Sequence, residues 1–315
     1  MHDVHRRPRY ATLVFRFFFG TIFGGSSSIA IIALASRIKI SEKCSTVLSL
    51  ESALTDILCI VFSLVIIEIM LSGTVDLTTI GQSIASRFSI GAVLGVIFGF
   101  IWISMLKRIS KTSYAYMLTL AVVLLVYAFS EFLGGSGPLC SLLFGIVLGN
   151  EKEVYKMLRM ERPANMAVDG GLKRFESEIA FLLRTFFFVY IGMIVTIGDI
   201  TIMVVGILLS LILLITRFGA VALSTVRSQL TEERALMTVL LTRGLAAAVL
   251  ATLPLQYAAE YAADPTKYPE AGPIFERLAP YYINLAVIVI LTTAIIATVG
   301  VPILKHRAKK IMAGL

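Results

Sequence analysis

Charge is what this 315-residue chain has least of: 15% of its residues are charged, 57% are hydrophobic, and the mean hydropathy is +0.89. An ordinary soluble domain carries about 25% charged residues, so a soluble fold is excluded and a polytopic membrane protein is expected. Histidine is also scarce. His2, His5 and His306 lie at the ends, which rules out an imidazole proton relay or a histidine metal site inside the membrane. A proton held there must ride on a carboxylate. Cys44, Cys59 and Cys140 are widely spaced with no Cys-x-x-Cys, so neither a disulfide framework nor a thiolate cluster is expected, and they read as small apolar residues. There is no glycine-rich phosphate cradle, and the loop 150 to 177 is charged on both signs. ATP is therefore not expected, nor any other cofactor, and transport would run on a gradient.

What is present is a series of apolar runs. Segments of bilayer length, about 17 to 25 residues, occur at roughly 11–35, 48–71, 89–106, 114–133, 178–197, 200–224, 234–257 and 280–304. A shorter one, 136–149, follows the turn Gly134-Gly135-Ser136-Gly137-Pro138 and counts as a short or tilted span. The expected fold is all-α, a polytopic helical membrane protein of about nine transmembrane helices: a basic segment 1–10, a transmembrane domain 11–304 and a basic tail 305–315. Net charge is +8 and lies mostly in short loops and tails, where membrane orientation explains it better than a nucleic-acid partner does. Threading nine spans puts Lys305, Arg307, Lys309 and Lys310 on the same face as Lys107, Arg108, Lys111 and as Arg37, Lys39, Lys43. That face, and with it the C-terminus, reads as cytoplasmic in a cell-membrane protein surrounded by lipid. The loops 72–88 and 258–279 then fall outside. Arg6, Arg7 and Arg9 fall outside too, the wrong side for a positive cluster.

The costliest stretch is Leu50-Glu51-Ser52-Ala53-Leu54-Thr55-Asp56-Ile57-Leu58-Cys59, which puts two carboxylates inside an apolar run. At about 100° per residue, Glu51, Ser52, Thr55, Asp56, Cys59 and Ser63 share an arc of roughly 140°. A membrane carboxylate costs about 2.5 to 3.5 kcal/mol on insertion scales, so two on one face imply a wet or paired interior, read here as an ion and proton site.

Two further segments look interrupted. Gly20 to Ser28, with Gly24, Gly25, Ser26 and Ser27, makes a poor helix centre, because glycine costs about 1 kcal/mol against alanine and serine competes for backbone bonds. A break there would line a cavity; the other reading is a small-residue packing face. Thr242-Arg243-Gly244, followed by small residues and Pro254, reads as a second break, and two such breaks point to a crossed pair at a midplane site. Arg217, inside its own apolar run, either pairs with Glu51 or snorkels to the membrane surface. Phe186 to Met193 reads as packing and Gly170-Gly171 as an ordinary turn.

These residues, in this order, resemble the monovalent cation/proton antiporter superfamily, sodium/proton exchanger type, over nearly the whole chain. Glu51-Ser52-Ala53-Leu54-Thr55-Asp56 is similar to the Glu-Ser-x-x-Asn-Asp signature, Gly20 to Ile38 to the broken helix before it, and Ser136 to Gly149 to a small-residue span. Phe186 to Met193 is similar to a Phe-Phe-Val-x-x-Gly-Met seam, Arg243-Gly244 to the Leu-Arg-Gly of the second broken helix, and Arg217 to the arginine that pairs with the signature glutamate. The resemblance implies an inverted-repeat fold, no enzymatic role, a homodimer at full length, and three or four spans before the first broken helix, so the chain is expected to be N-terminally incomplete. Thr55 in place of Asn or Asp points by resemblance to electroneutral exchange. Ser26-Ser27-Ser28 in place of Thr-Asp-Pro leaves the cation open between Na+, taken first, and K+.

The expectation is an antiporter in which a cation and a proton compete for Asp56. Ser52, Thr55 and carbonyls near Ser26 complete an oxygen shell, Glu51 pairs with Arg217, and Arg243 fixes the second break. The alternatives are an inactive N-terminally truncated fragment, and a channel or anion transporter in which the arginines select the ion.

Overall fold

A bilayer offers no water to backbone amides and carbonyls, and this chain satisfies them by folding almost entirely as helix. The computed structural model describes residues 7–27, 40–72, 77–109, 114–157, 170–196, 198–269 and 271–313. Among them run eleven α-helices: α1 Arg7–Ile22, α2 Glu42–Ser72, α3 Leu77–Ile109, α4 Ala115–Phe132, α5 Gly137–Gly149, α6 Glu151–Met157, α7 Gly170–Ile194, α8 Ile200–Ser224, α9 Arg234–Val239, α10 Leu245–Ala263 and α11 Gly272–Ala313. A 3-10 turn, Gln229–Glu233, joins α8 to α9. The far half of the first expected span, with Ser28, Arg37 and Lys39, lies outside the described residues, as do Arg6, Lys111 and the side chains of Lys107 and the tail.

Six of these helices (α2, α3, α4, α7, α8 and α11) are long and apolar enough to cross a membrane. The remaining expected spans are α5, 13 residues long, and the two interrupted segments, of which α1 precedes one break and α9 with α10 flanks the other. Several expected loops are instead helical. Residues 77–88 belong to α3, having one glycine and no proline to stop it. The loop 258–279 shrinks to the turn between α10 and α11, because alanine-rich 258–263 sustains the helix. Gly170 and Gly171 open α7 rather than turning the chain, and Gly171 lies against the Tyr116 hydroxyl, where a side chain would not fit. The seam Phe186 to Met193 packs on little among the described residues: Ile191 is buried, while Phe186 and Met193 are mostly exposed.

The described residues form two compact units. The first comprises residues 1–74 and 188–315. In it α11 packs on α10, α8 and α9, while α1 packs on α2 and α10. Phe15 and Phe18 of α1 meet Phe275 and Tyr282 of α11 edge-to-face, and the Tyr282 hydroxyl donates to the Phe15 carbonyl at 3.0 Å. Each such aromatic pair adds about 0.5–1.5 kcal/mol beyond the area it buries, so α1 is anchored before its chain breaks. On α2, Leu50, Leu54, Leu58 and Phe62 form an exposed apolar stripe, and Ser52, Cys59 and Ser63 are buried on the opposite side.

The start of α2 is also fixed. Ser41, just before it, donates its N–H and hydroxyl to Glu233 at 2.8 and 2.7 Å and accepts the Cys44 N–H at 3.1 Å, while Lys43 donates to Gln229. Partial burial raises the pKa of Glu233, but the donations from Ser41 outweigh it and hold the carboxyl below its ordinary 4.5.

The second unit, 75–187, is held by α3, α4 and α5. Gly91, Gly95 and Gly99 recur every four residues along α3, so the helix presents bare backbone to α5. A Cβ on Gly91 would lie 2.7 Å from the Ser136 carbonyl oxygen, one on Gly99 would lie 2.8 Å from Val147 Cβ, and one on Gly95 would collide with the Cys140 carbonyl.

Two outcomes are expected. Gly95→Ala forces α3 and α5 apart and lowers the thermal midpoint of the detergent-solubilised protein by an amount equivalent to about 1–3 kcal/mol; an unchanged melt contradicts the close approach. Because the Glu233 pKa is depressed in the fold, its stabilisation is full above its ordinary value and is lost as pH falls through the folded value. Glu233→Gln should therefore cost about 0.3–1 kcal/mol at neutral pH, and its melting curve should converge on wild type in acid. A gap that persists well below pH 4 contradicts the capping role.

Candidate functional site

α1 ends at Ile22, where glycine and serine replace helix formers, and residues 23–27 leave the helix as a turn followed by chain without regular structure. α9 ends at Val239, and 240–244 run without helical structure until Leu245 starts α10. The two breaks meet. The Ser27 N–H donates to the Thr242 carbonyl at 2.7 Å, and a Cβ on Gly244 would lie 2.6 Å from Ser27 Oγ, so only glycine permits the approach. Arg243, 8% exposed, crosses to the first break, where its Nη1 donates to the Gly24 carbonyl at 3.1 Å and to the Gly25 carbonyl. Its own N–H donates to Thr293 Oγ1 of α11 at 3.2 Å, and that hydroxyl donates onward to the Val289 carbonyl at 2.8 Å.

The polar face of α2 lies against the first break. Ser52 donates its hydroxyl to the Ser26 carbonyl, the Ser26 N–H reaches Thr55 Oγ1 at 3.4 Å, and Thr55 Oγ1 donates to the Ser52 carbonyl at 3.1 Å. Asp56 sits directly beneath Gly25, whose missing side chain would collide with Asp56 Oδ1. Further along α2, Cys59 Sγ abuts Gly24, and Ser63 shares a 2.7 Å hydrogen bond with Thr21. Asp56, Ser52, Thr55, Gly24, Gly25, Ser26, Ser27, Arg243 and Gly244 are thus brought together. The carbonyls of Gly24, Gly25 and Ser26 each already accept a protein donor, which leaves one lone pair apiece for a ligand. One carboxylate with hydroxyl and carbonyl oxygens is a hard, low-charge donor set, suited to an alkali cation and poor for a transition metal.

Glu51 stands apart from this cluster, five residues and about 7.5 Å of helix rise before Asp56. Both of its oxygens accept from Arg217, at 2.5 and 3.0 Å, and Arg217 Nε donates to the Met237 carbonyl at 3.0 Å. Arg217 therefore ties α2 to the last turn of α9, the helix that leads into the second break. The contributions of Thr293 and the Met237 carbonyl carry no sequence signal, since nothing in local spacing says which helix a lone threonine or carbonyl will meet.

The family described as "Sodium/hydrogen exchanger, transmembrane" matches residues 11–306. The chain belongs to this family. Its members are membrane transporters rather than a class of enzymes, and the chain is a multi-pass membrane protein. Among curated relatives, the low-affinity Na(+)/H(+) antiporter NhaS1 of Synechocystis sp. is 28% identical over 139 residues, 44% of this chain and 26% of that protein. The K(+)/H(+) antiporter NhaP2 of Shewanella sp. strain MR-4 is 30% identical over 138 residues, 42% of this chain and 24% of that protein. The aligned part of the chain thus spans about a quarter of the length of these relatives. The sodium proton antiporter MjNhaP1 of Methanocaldococcus jannaschii, solved at pH 8, superposes with a TM-score of 0.70 at 18% identity, covering 91% of this chain and 68% of that one, so the chain shares its fold.

Arg217→Ala should leave Glu51 without its partner and α9 without a donor. Arg217 is 10% and Glu51 32% exposed, so the loss is expected to fall below the about 3–5 kcal/mol of a fully buried pair and to show as a lower yield of folded protein. Wild-type yield and an unchanged melt would show that the pair holds nothing.

Proposed function

We propose that the exchanger is a secondary antiporter that moves a monovalent cation in one direction and protons in the other, with both competing for Asp56. The observation that carries this reading is the crossing itself: two interrupted segments meet over one half-buried carboxylate, and the backbone above it is bare because Gly25 has no side chain. A carboxylate in an apolar interior is stabilised by a bound cation while ionised or is neutralised by a proton, and one carboxylate cannot hold both. The two fluxes are coupled by that exclusion.

Ser52 and Thr55 supply hydroxyl lone pairs, and the carbonyls of Gly25 and Ser26 supply the rest of the shell. Glu51 and Arg217 hold the frame. We take Na+ ahead of K+, in keeping with the family description, although relatives named for Na+ and for K+ are similarly distant. One-for-one exchange, a cytoplasmic C-terminus and a homodimer belong to the same reading. A channel or anion transporter gating on arginine fits less well, because Arg243 Nη1 is committed to two backbone carbonyls and Arg217 to Glu51.

The test is transport by the protein in acid-loaded vesicles, read as cation-dependent fluorescence dequenching. Lowering pH should raise the apparent KM for the cation, and saturating cation should overcome the acid inhibition. Asp56→Asn should abolish exchange. An apparent KM that stays flat over about two pH units, or an active Asp56→Asn protein, contradicts competition at this carboxylate.

A further inference from the structure

The hydrogen bonds of the crossing leave two side chains unaccounted for. Ser26 and Thr242 are each 2% exposed, yet neither Ser26 Oγ nor Thr242 Oγ1 has a hydrogen-bond partner among the described residues. Their backbones do find partners: the Ser26 carbonyl accepts from Ser52, its N–H reaches Thr55, and the Thr242 carbonyl accepts from Ser27. An unmade hydrogen bond at such a depth is costly, and native proteins leave few. Other buried threonines in this unit behave otherwise. Thr252, Thr238 and Thr293 each donate back to a carbonyl three or four residues earlier on their own helix. Thr242 has no such recourse, because it lies in the unwound stretch 240–244. The two unpartnered hydroxyls therefore come one from each break, beside the Ser27–Thr242 bond that joins them and next to the backbone covering Asp56.

We infer that the Thr242 hydroxyl, with that of Ser26, is a ligand of the transported monovalent cation, supplied from the second break to complete a shell that the first break and α2 leave open on that side. A hydroxyl oxygen has two lone pairs and needs no deprotonation to bind an alkali ion. Arg243 Nε, also unpartnered among the described residues, can only donate, so it marks the place of an oxygen such as a water retained by the ion rather than of the ion itself. With a ligand on each break, the bound cation draws the two segments together, whereas a proton on Asp56 has no need of Thr242. Thr242 is then a residue that discriminates cation from proton. This inference rests on the reading of Asp56 as the shared site.

The test is the thermal stabilisation of the full chain in detergent by NaCl or KCl, with choline chloride as the ionic-strength control and at a pH where Asp56 is ionised; a ligand that binds the folded state raises its midpoint by mass action. Thr242→Val is isosteric and should melt like wild type in choline chloride but need about five- to tenfold more cation for half of the stabilisation, the worth of one lost polar contact. Thr242→Ser should restore the wild-type value to within about twofold. If Thr242→Val melts low in choline chloride, Thr242→Ala is read in the same way. A half-effective concentration unchanged in the hydroxyl-free variant, with Asp56→Asn no longer stabilised by either salt, overturns the role of Thr242 alone. An Asp56→Asn protein still stabilised by cation overturns the Asp56 reading and this inference with it.

Discussion

Backbone that leaves a helix inside a membrane must find partners at once, and in this chain the two described places where it does so satisfy one another. Ser27 donates to Thr242, and Arg243 donates to Gly24 and Gly25. Each of these bonds removes an orphan that would otherwise cost several kcal/mol in hydrocarbon. Neither break is tenable without the other, so the crossing is a single structural object although its halves are more than two hundred residues apart. The position of Asp56 depends on it, because α2 reaches the first break through Ser52, one turn before the carboxylate, and Thr55, immediately before it.

Around the crossing the protein places further braces. Arg217 links Glu51 on α2 to the end of α9, and Thr293 on α11 receives the N–H of Arg243. Aromatic contacts pin α1 to α11, and Glu233 caps the start of α2. The helices that lead into the site are therefore braced by their neighbours, while the crossing itself is made of glycine, hydroxyls, the Arg243 side chain and unwound backbone. That division gives a site whose oxygens are preorganised but whose local backbone has few side-chain contacts to resist rearrangement.

The sequence made the class of the protein and the two interruptions legible, because composition and the cost of glycine, serine and charge in a membrane are local properties. It offered Glu51 as one of two readings for Arg217, the other being snorkelling, and the two side chains meet in the fold. It failed where the answer depends on a neighbour. Residues 77–88 and 258–263 were assigned to loops from low hydropathy, but helix length follows propensity as well as apolarity. The Gly91, Gly95, Gly99 repeat is a close-packing face whose partner, α5, lies beyond local spacing, and Gly170-Gly171, an ordinary turn signal by composition, opens a helix against Tyr116. Thr242 and Thr293 could not be singled out from sequence, since a threonine in an apolar run normally bonds its own helix.

The central claim is that one carboxylate at the crossing exchanges a proton for a cation, and the most direct measurement is of the proton itself. Titrating the solubilised protein with NaCl in buffers of different ionisation enthalpy gives the number of protons released per cation bound. The account predicts up to one proton per cation, the fraction falling towards zero as pH rises and Asp56 is already ionised, and no cation-linked release from Asp56→Asn. Cation binding with no proton release at any pH, or undiminished release from Asp56→Asn, would contradict it.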